Sequence, residues 1–296
     1  NGGHRDLHFF LTRWSFGLTP DGTQRSYRAG VYDNPYWTVA RNPSLDDVNR
    51  FIGNLQLTYS LTDWLDVKGT YGYDWFNDSR KVGIDVGSAT DANGVVTDRE
   101  ETNEDITAQL LFIANKDLSE KWNLGVTAGF DLYRNHRLIR RVDGQGLTIP
   151  GFFHVSNSAT QVVQEFDNNR ELRAFLSQAT VGYDNMAFLT TTLRNDWSST
   201  LPAGNNDFQS YSFGGSFVFT ELLEDSNWYG KLRASWGRSG NDAPIYSTDT
   251  YYNNGSAGGD GFISNNDFPL FGQVAFERSA QLGNNELRPE ETTEWD

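Results

Sequence analysis

Hydrophobic and polar side chains alternate with a period of two along several stretches of this chain, most clearly in residues 64–76. Along that stretch the odd positions are apolar, aromatic or glycine, while the even positions include Asp66, Lys68 and Asp74. Successive side chains of a β-strand point to opposite faces of the sheet. The pattern therefore predicts a strand with one apolar face and one charged face.

The same alternation recurs along the chain. We predict strands at residues 6–16, 50–60, 64–76, 104–115, 121–134, 171–183, 187–197, 209–219 and 228–238, and a further strand that begins at Thr292. In the strand at 171–183 the apolar positions change parity partway, which indicates either a β-bulge or that the register assigned to this strand is wrong.

The connections between these strands alternate in length. Short connections are expected at residues 61–63, 116–121, 184–186 and 220–227. Long connections, rich in Gly, Asn, Asp and Ser, are expected at residues 17–49, 77–103, 135–170, 198–208 and 239–291. Such alternation is typical of an up-and-down barrel in which only one rim carries elaborate loops.

Strand length and aromatic placement favour a membrane barrel over a soluble one. About eleven residues at roughly 3.4 Å each, tilted by ~40°, rise about 28 Å, close to an apolar band of ~25 Å. Aromatic rings lie near both strand ends, Trp122 and Tyr183 by short turns and Trp75, Tyr133 and Trp197 by long loops. We predict an all-β, antiparallel up-and-down transmembrane β-barrel whose apolar face contacts lipid and whose polar face lines the lumen.

Composition restricts the function further. The 296 residues carry a formal net charge of -15 and have a pI of about 4.6, which argues against nucleic-acid binding through a basic surface. The chain has no cysteine, which excludes disulfides, thiol catalysis and zinc–thiolate sites. The mean hydropathy is -0.59, and no apolar run approaches the ~18–20 residues of a membrane helix.

No motif predicts catalysis. The chain lacks a nucleophile elbow, a zinc-protease motif and a phosphate-binding loop, so we expect neither an enzyme nor a cofactor or metal site. Adjacent carboxylates occur in predicted loops, as Asp46–Asp47, Glu100–Glu101 and Glu290–Glu291. Solvated loop charges explain them, and the alternative is a loop cation or cation bridging to lipopolysaccharide.

The number of predicted strands indicates that the chain is a segment of a larger β-barrel. An open sheet of nine to ten strands would leave two long edges with unpaired backbone groups in lipid. We therefore expect residues 1–296 to belong to one larger β-barrel domain, with the signal peptide and the closing strands outside this segment.

Several motifs resemble TonB-dependent outer-membrane transporters of the SusC/RagA type from Bacteroidetes. They are "NPYWTVARNP" (34–43), "RFIGNLQLTYSLTDWLDVKGTYGYD" (50–74), "LRNDWSSTLP" (193–202) with "YSFGGSFVFTE" (211–221), "KLRASWGRSGN" (231–241) and "LGNNELRPEETTEWD" (282–296). They follow the family's order over nearly the whole chain, so the resemblance covers the middle of a barrel.

The resemblance implies a 22-stranded barrel in the bacterial outer membrane, with an N-terminal plug domain that lies outside this segment. It also implies TonB-dependent active import of oligosaccharides or peptides. The implied partners are the TonB–ExbB–ExbD complex, acting through the plug, and a SusD-like surface lipoprotein acting as a lid. The alternatives are a passive porin-type channel, a soluble carbohydrate-binding β module and a structural adhesin.

Two groups of residues are candidate sites. Paired aromatic rings in the long loops could stack on sugar rings or peptide side chains, or could pack the loops together; they are Tyr36, Trp37, Phe152, Phe153, Tyr251 and Tyr252. Polar residues on the predicted inner face could line the conduit or contact the plug; they are Asp66, Lys68, Asp74, Asp105, Gln109 and Asp131.

Overall fold

The computed structural model describes residues 23–26, 28, 31–222, 228–254, 256, 257, 266, 267 and 272–296. It comprises a helix α1 (Pro35–Arg41) and the strands β1 (Ser44–Thr62), β2 (Leu65–Ile84), β3 (Val95–Asp117), β4 (Trp122–Leu147), β5 (Ser158–Tyr183), β6 (Ala187–Ser198), β7 (Asp207–Val218), β8 (Lys231–Asn241), β9 (Tyr252–Asn254), β10 (Ser256–Ala257), β11 (Asn266–Asp267), β12 (Phe276–Arg278) and β13 (Glu290–Trp295). Short 3-10 helices cover Val155–Asn157 and Phe219–Leu222. The predicted strand at 6–16 lies outside the described residues.

Nine strands form one sheet in which neighbours follow each other along the chain, in the order β1 to β8 and then β13. The remaining short strands pair separately, β9 with β12 and β10 with β11. This order confirms the predicted all-β, up-and-down arrangement. Among the described residues, no helix has the length and apolar character needed to cross a membrane.

Two connections predicted as long loops are mostly strand, so those predictions were wrong. The connection predicted at 77–103 is reduced to residues 85–94, and the one predicted at 135–170 is reduced to residues 148–157. As a result β4 and β5 each reach 26 residues.

The extra strand length escaped the sequence pattern because it carries no apolar face. Ion pairs link neighbouring strands there instead, such as Lys81 with Asp98 at 3.3 Å and Arg140 with Glu165 at 2.8 Å. Opposite charges across a ladder stabilise strand pairing without apolar alternation.

The adjacent carboxylates also lie in strands rather than loops, contrary to the sequence prediction. Asp46–Asp47 lie in β1, Glu100–Glu101 in β3 and Glu290–Glu291 in β13. Several of them have basic partners: Glu101, for example, accepts hydrogen bonds from Arg99 at 2.5 Å and Arg137 at 2.7 Å.

The register of β5 against β6 is continuous, so no bulge interrupts this pair of strands. Pairing runs without a break from Leu172 opposite Ser198 to Tyr183 opposite Ala187. Ala174 pairs with Asp196 and lies on the polar face of β5. The parity of the apolar residues therefore changes because apolar side chains occupy the polar face in the first part of this stretch.

The two faces of the sheet differ sharply on β6, β7 and β8. Directly paired residues share a face, so Leu189, Phe213 and Leu232 lie on one face, with exposed fractions of 61%, 52% and 66%. The opposite face carries hydroxyls, and Thr192 shares a 2.6 Å hydrogen bond with Ser212. We call these the apolar face and the polar face. The apolar face is the exposed one, which suits a lipid environment.

Aromatic rings at the strand ends agree with the predicted girdles, with one correction. Trp122 and Tyr183 pack at the short-turn end with ring centroids 4.7 Å apart. At the other end, Trp197 is exposed on the apolar face. Tyr133 lies on the polar face instead, because its hydroxyl donates a hydrogen bond to Asp105.

The chain divides into two compact units. The first comprises Asn1–Ile52, Asp74–Glu104 and His136–Asn168, and the second comprises Gly53–Tyr73, Asp105–Asn135 and Asn169–Asp296. The first unit contains α1 and the connections 85–94 and 148–157, and it buries Trp37, Val96 and Leu147. The second unit contains β6, β7, β8 and β13, and it buries Ala174, Phe208 and Val218.

Candidate functional site

A cluster of hydrogen-bonded charged residues, centred on Arg194, lies on the polar face of the second unit. Arg194 on β6 donates to both oxygens of Asp196, each at 2.9 Å, and to Asp131 on β4 at 2.7 Å. Gln109 on β3 donates to the other oxygen of Asp131 at 2.7 Å. Because β5 lies between β4 and β6, Arg194 reaches across β5 to contact Asp131.

A second cluster on the polar face is centred on Asp105. Its carboxylate accepts hydrogen bonds from the Tyr133 hydroxyl at 2.8 Å and from the Asn135 amide at 2.9 Å. The Arg170 guanidinium lies 5.9 Å from the centroid of the Tyr133 ring, within the range of a cation–π contact. The cluster therefore joins β3, β4 and β5.

The cluster continues from Arg170 to Asp242, which follows β8. Arg170 donates to both oxygens of Asp242, at 2.6 and 3.2 Å. The same carboxylate accepts from Ser198 at 2.6 Å and from Thr200 at 3.0 Å. With four hydrogen bonds, a buried aspartate is fully compensated. Asp242 thereby fixes the beginning of the connection 242–289 to the middle of β5 and to the end of β6.

The other three predicted lumen-facing residues lie on β2. Asp66 and Lys68 have the same parity as Gly72, whose nearest side chain across the sheet is Thr107 on the polar side of β3. Asp74 forms a bidentate ion pair with Arg50 on β1, at 2.9 and 2.5 Å. A role for these residues in the conduit stays a prediction.

Sequence reasoning missed Arg170, Arg194 and Asp242, although a signal for one group was present. Within the motif "LRNDWSSTLP", the polar residues at alternate positions are Arg194, Asp196, Ser198 and Thr200. This period-two spacing places all the strand members on one face. Arg170 and Asp242 carry no such signal, because they are separated by more than 70 positions and meet only through the sheet.

The predicted aromatic pair on α1 is split between surface and interior. Tyr36 is exposed, whereas Trp37 is only 5% exposed. The buried position of Trp37 favours the packing alternative for that ring. Asn34 caps the helix by accepting a hydrogen bond from the Tyr36 backbone N–H at 2.9 Å, which fixes the direction in which both rings leave the backbone.

The second pair lies in the connection between β4 and β5. Phe152 is exposed and stacks on His154 with ring centroids 5.9 Å apart and planes within 10°. Phe153 packs against Gly83 on β2, where an added Cβ would collide with the ring. One ring of the pair therefore faces outward while its neighbour holds the connection onto the strand.

The third pair follows β8. Tyr251 and Tyr252 are both exposed, and Tyr252 begins β9 opposite Arg278. The backbone N–H of Ser279 donates to the Tyr251 carbonyl at 3.0 Å. Both rings are therefore exposed beside the pair of strands β9 and β12, and their binding role stays a prediction.

Asp85 joins three segments of the first unit. Its nearly buried carboxylate accepts from the backbone N–H groups of Gly151 at 2.7 Å and Val86 at 2.9 Å, and from Arg41 at 3.4 Å. These partners belong to the β4–β5 connection, the β2–β3 connection and α1. The segments that carry Tyr36 and Phe152 are therefore held by one carboxylate.

Asp33 supports the same region next to the helix cap. Partial burial acts to raise the pKa of Asp33, but hydrogen bonds from Ala89, Ser88 and Gln24 outweigh it and leave the pKa below its ordinary value. The Ala89 N–H and Gln24 amide donate at 2.6 Å, and the Ser88 hydroxyl donates at 2.7 Å. These bonds tie the residues before α1 to the β2–β3 connection.

No group of three or more His, Asp or Glu side chains in the described part of the chain is arranged to hold a metal ion. The polar clusters are closed by arginine, amide and hydroxyl partners. These clusters therefore link neighbouring strands on the polar face by hydrogen bonds and ion pairs.

Comparison with known proteins agrees with this architecture. The model of the family "TonB dependent receptor-like, beta-barrel" matches residues 1–296. A search among proteins of curated function found no match.

Solved structures with a similar fold include the RagAB peptide transporter. It superposes with a TM-score of 0.76 and 18% sequence identity, covering 92% of this chain and 30% of that chain. The RagAB peptide importer in its closed-closed state gives a TM-score of 0.72 at 18% identity, covering 93% of this chain and 31% of that chain. At this identity the likeness concerns the fold, and the chain spans about a third of the length of these relatives.

The SusC/RagA resemblance is therefore confirmed at the level of fold. Barrels of the TonB-dependent family lie in the outer membrane of Gram-negative bacteria. The exposed apolar face of this sheet is therefore the face that meets lipid. The chain belongs to the TonB-dependent receptor-like β-barrel family.

Proposed function

We propose that the protein containing this chain imports nutrients actively across the outer membrane, driven through TonB. The family match over residues 1–296 is the observation that carries this proposal. In it, the chain is the wall of the barrel, and it positions loops and lumen contacts without performing catalysis.

The substrate class in this proposal is an oligosaccharide or a peptide. Exposed rings of Tyr36, Phe152, Tyr251 and Tyr252 offer flat apolar faces to either kind of ligand. Trp37 and Phe153 act behind them as packing residues. The polar residues Asp66, Lys68, Asp74, Asp105, Gln109 and Asp131 line the lumen or contact the plug.

The proposed partners are a SusD-like surface lipoprotein, which closes the loop side, and the TonB–ExbB–ExbD complex, which acts through the plug. Asp85 in the first unit and Asp242 in the second each anchor a connection of their own unit, which supports a lid that meets loops already held in place. Preorganised surfaces bind with a smaller entropic cost.

A pull-down of the tagged full-length protein from detergent-solubilised outer membranes tests the partner and the substrate together. Co-purifying proteins and small molecules are identified by mass spectrometry. A stoichiometric surface lipoprotein with bound peptide or glycan is expected. Recovery of the protein alone would contradict the lidded importer and favour a porin-type channel, and recovery from the soluble fraction would favour a soluble β module.

A further inference from the structure

The apolar face carries an arginine cluster partway along β5, at the level where the lipid-facing part of the strand is expected to end on the loop side. Arg173 pairs directly with Trp197, so both lie on the apolar face. Arg134 joins the cluster through Glu171, which both arginines contact. Charged side chains on a lipid-facing surface require an explanation, because they are costly within the apolar band.

The position of the cluster matches the edge of that band. Ten residue steps separate Tyr183 from Arg173 along β5. At about 3.3 Å per step and a tilt of ~40°, they span roughly 25 Å along the barrel axis, the height of a typical apolar band. Since Tyr183 lies at the short-turn end, Arg173 lies at the level of the lipid headgroups on the loop side.

A groove lies against this cluster. It has a volume of about 510 Å³, and its lining includes Leu110, Phe130, Leu132, Arg134, Arg173 and Trp197. Phe130 is 57% exposed and packs against Phe175 of β5 with ring centroids 5.5 Å apart. The groove therefore combines an apolar floor with guanidinium groups at one end.

The guanidinium groups keep donors for a ligand. Arg134 uses Nε and Nη2 on one oxygen of Glu171, at 3.0 and 2.6 Å, and Arg173 uses Nε and Nη2 on the other, at 2.7 and 2.5 Å. Each guanidinium has five N–H donors, so further donors remain on each. The two side chains are 52% and 67% exposed, and with one glutamate the cluster keeps a net charge of +1.

We propose that this groove binds a phosphorylated lipid of the outer leaflet. The phosphate contacts Arg134 and Arg173, and an acyl chain lies along Phe130, Leu132 and Leu110. Planar guanidinium donors suit phosphate oxygens, and the apolar floor suits a hydrocarbon chain. The proposal depends on the membrane location of the barrel and is independent of which nutrient is imported.

The test uses the full-length protein in neutral detergent micelles with lipid A, a phosphorylated and acylated glucosamine disaccharide. Dephosphorylated lipid A and inorganic phosphate are the comparison ligands, and native mass spectrometry measures retention. We expect lipid A to bind about tenfold more tightly than its dephosphorylated form, a difference of about 1.4 kcal/mol. Arg134→Gln with Arg173→Gln should abolish that preference, while Glu171→Gln should strengthen binding of the phosphorylated lipid.

Arg140→Gln is the matched control, because Arg140 is a similarly exposed arginine that is paired with a glutamate and does not line the groove. It should leave the preference unchanged. Equal binding of the two lipids by the unaltered protein would overturn the proposal. So would displacement of lipid A by inorganic phosphate alone. If the double variant does not insert, the two-lipid comparison and Glu171→Gln still decide the result.

Discussion

Arg170 and Asp242 are joined by a bidentate ion pair of 2.6 and 3.2 Å, although β6, β7 and β8 come between them in chain order. The side chain of Asp242 is only 5% exposed, so Arg170 supplies most of the charge compensation at that carboxylate. The pair fixes the beginning of the connection that carries Tyr251 and Tyr252 to the polar face.

Replacing Arg170 should destabilise this region measurably. Arg170→Met leaves a buried carboxylate with hydroxyl partners alone, which should cost about 2 kcal/mol in the free energy of unfolding. Arg140→Met removes an exposed, solvent-screened pair and should cost much less. Denaturant unfolding of the full-length protein in detergent measures both. Equal losses for the two variants would contradict the anchoring role of Arg170.

Substitutions of the two aromatic residues of α1 should have different effects, one on local stability and the other on substrate binding. Trp37→Ala removes a buried ring and should weaken the local structure by about 3 kcal/mol. Tyr36→Ala removes an exposed ring, so it should leave local stability unchanged and weaken substrate binding. Hydrogen exchange of residues 34–42 in the full-length protein measures the first effect, and ligand titration measures the second. A large gain in exchange for Tyr36→Ala would contradict this division.

Position 83 should tolerate no residue larger than glycine, because the Phe153 ring packs directly against the Gly83 backbone. A Cβ at position 83 would collide with the ring, so Gly83→Ala should destabilise by about 1–3 kcal/mol. Phe153→Ala in the same chain removes the clash, so the double variant should be more stable than the sum of the single changes predicts. A double-mutant cycle measures the coupling, and strictly additive losses would show that the two residues do not meet.

Asp33 should make the region around α1 sensitive to acid. Its folded pKa lies below the ordinary value of 3.8, so it stabilises the folded state above that value. The contribution falls as the pH drops through the folded pKa, because the protonated carboxyl accepts fewer hydrogen bonds. Pepsin cleavage within residues 34–42 should therefore increase below about pH 4, relative to an Asp33→Asn variant that lacks this transition. Parallel pH profiles for the two proteins would contradict the prediction.

Sequence reasoning succeeded where side chains alternate within the apolar band. Residues 64–76 and 209–219 were found because lipid and lumen impose opposite polarity on successive positions. It did not predict the strand segments beyond that band, because they have no apolar face. Ion pairs such as Lys81–Asp98 and Arg140–Glu165 link neighbouring strands there. It also missed the Arg170–Asp242 pair, because contacts between distant positions depend on the register of four strands.

The TonB-driven import of nutrients is tested most directly by uptake into intact cells. Cells expressing the full-length protein are given labelled peptides or oligosaccharides, with and without a protonophore that collapses the energy source of TonB. Active import predicts that accumulation stops when the gradient collapses and when TonB is deleted. Accumulation that continues unchanged under both conditions would contradict the account and indicate a passive channel.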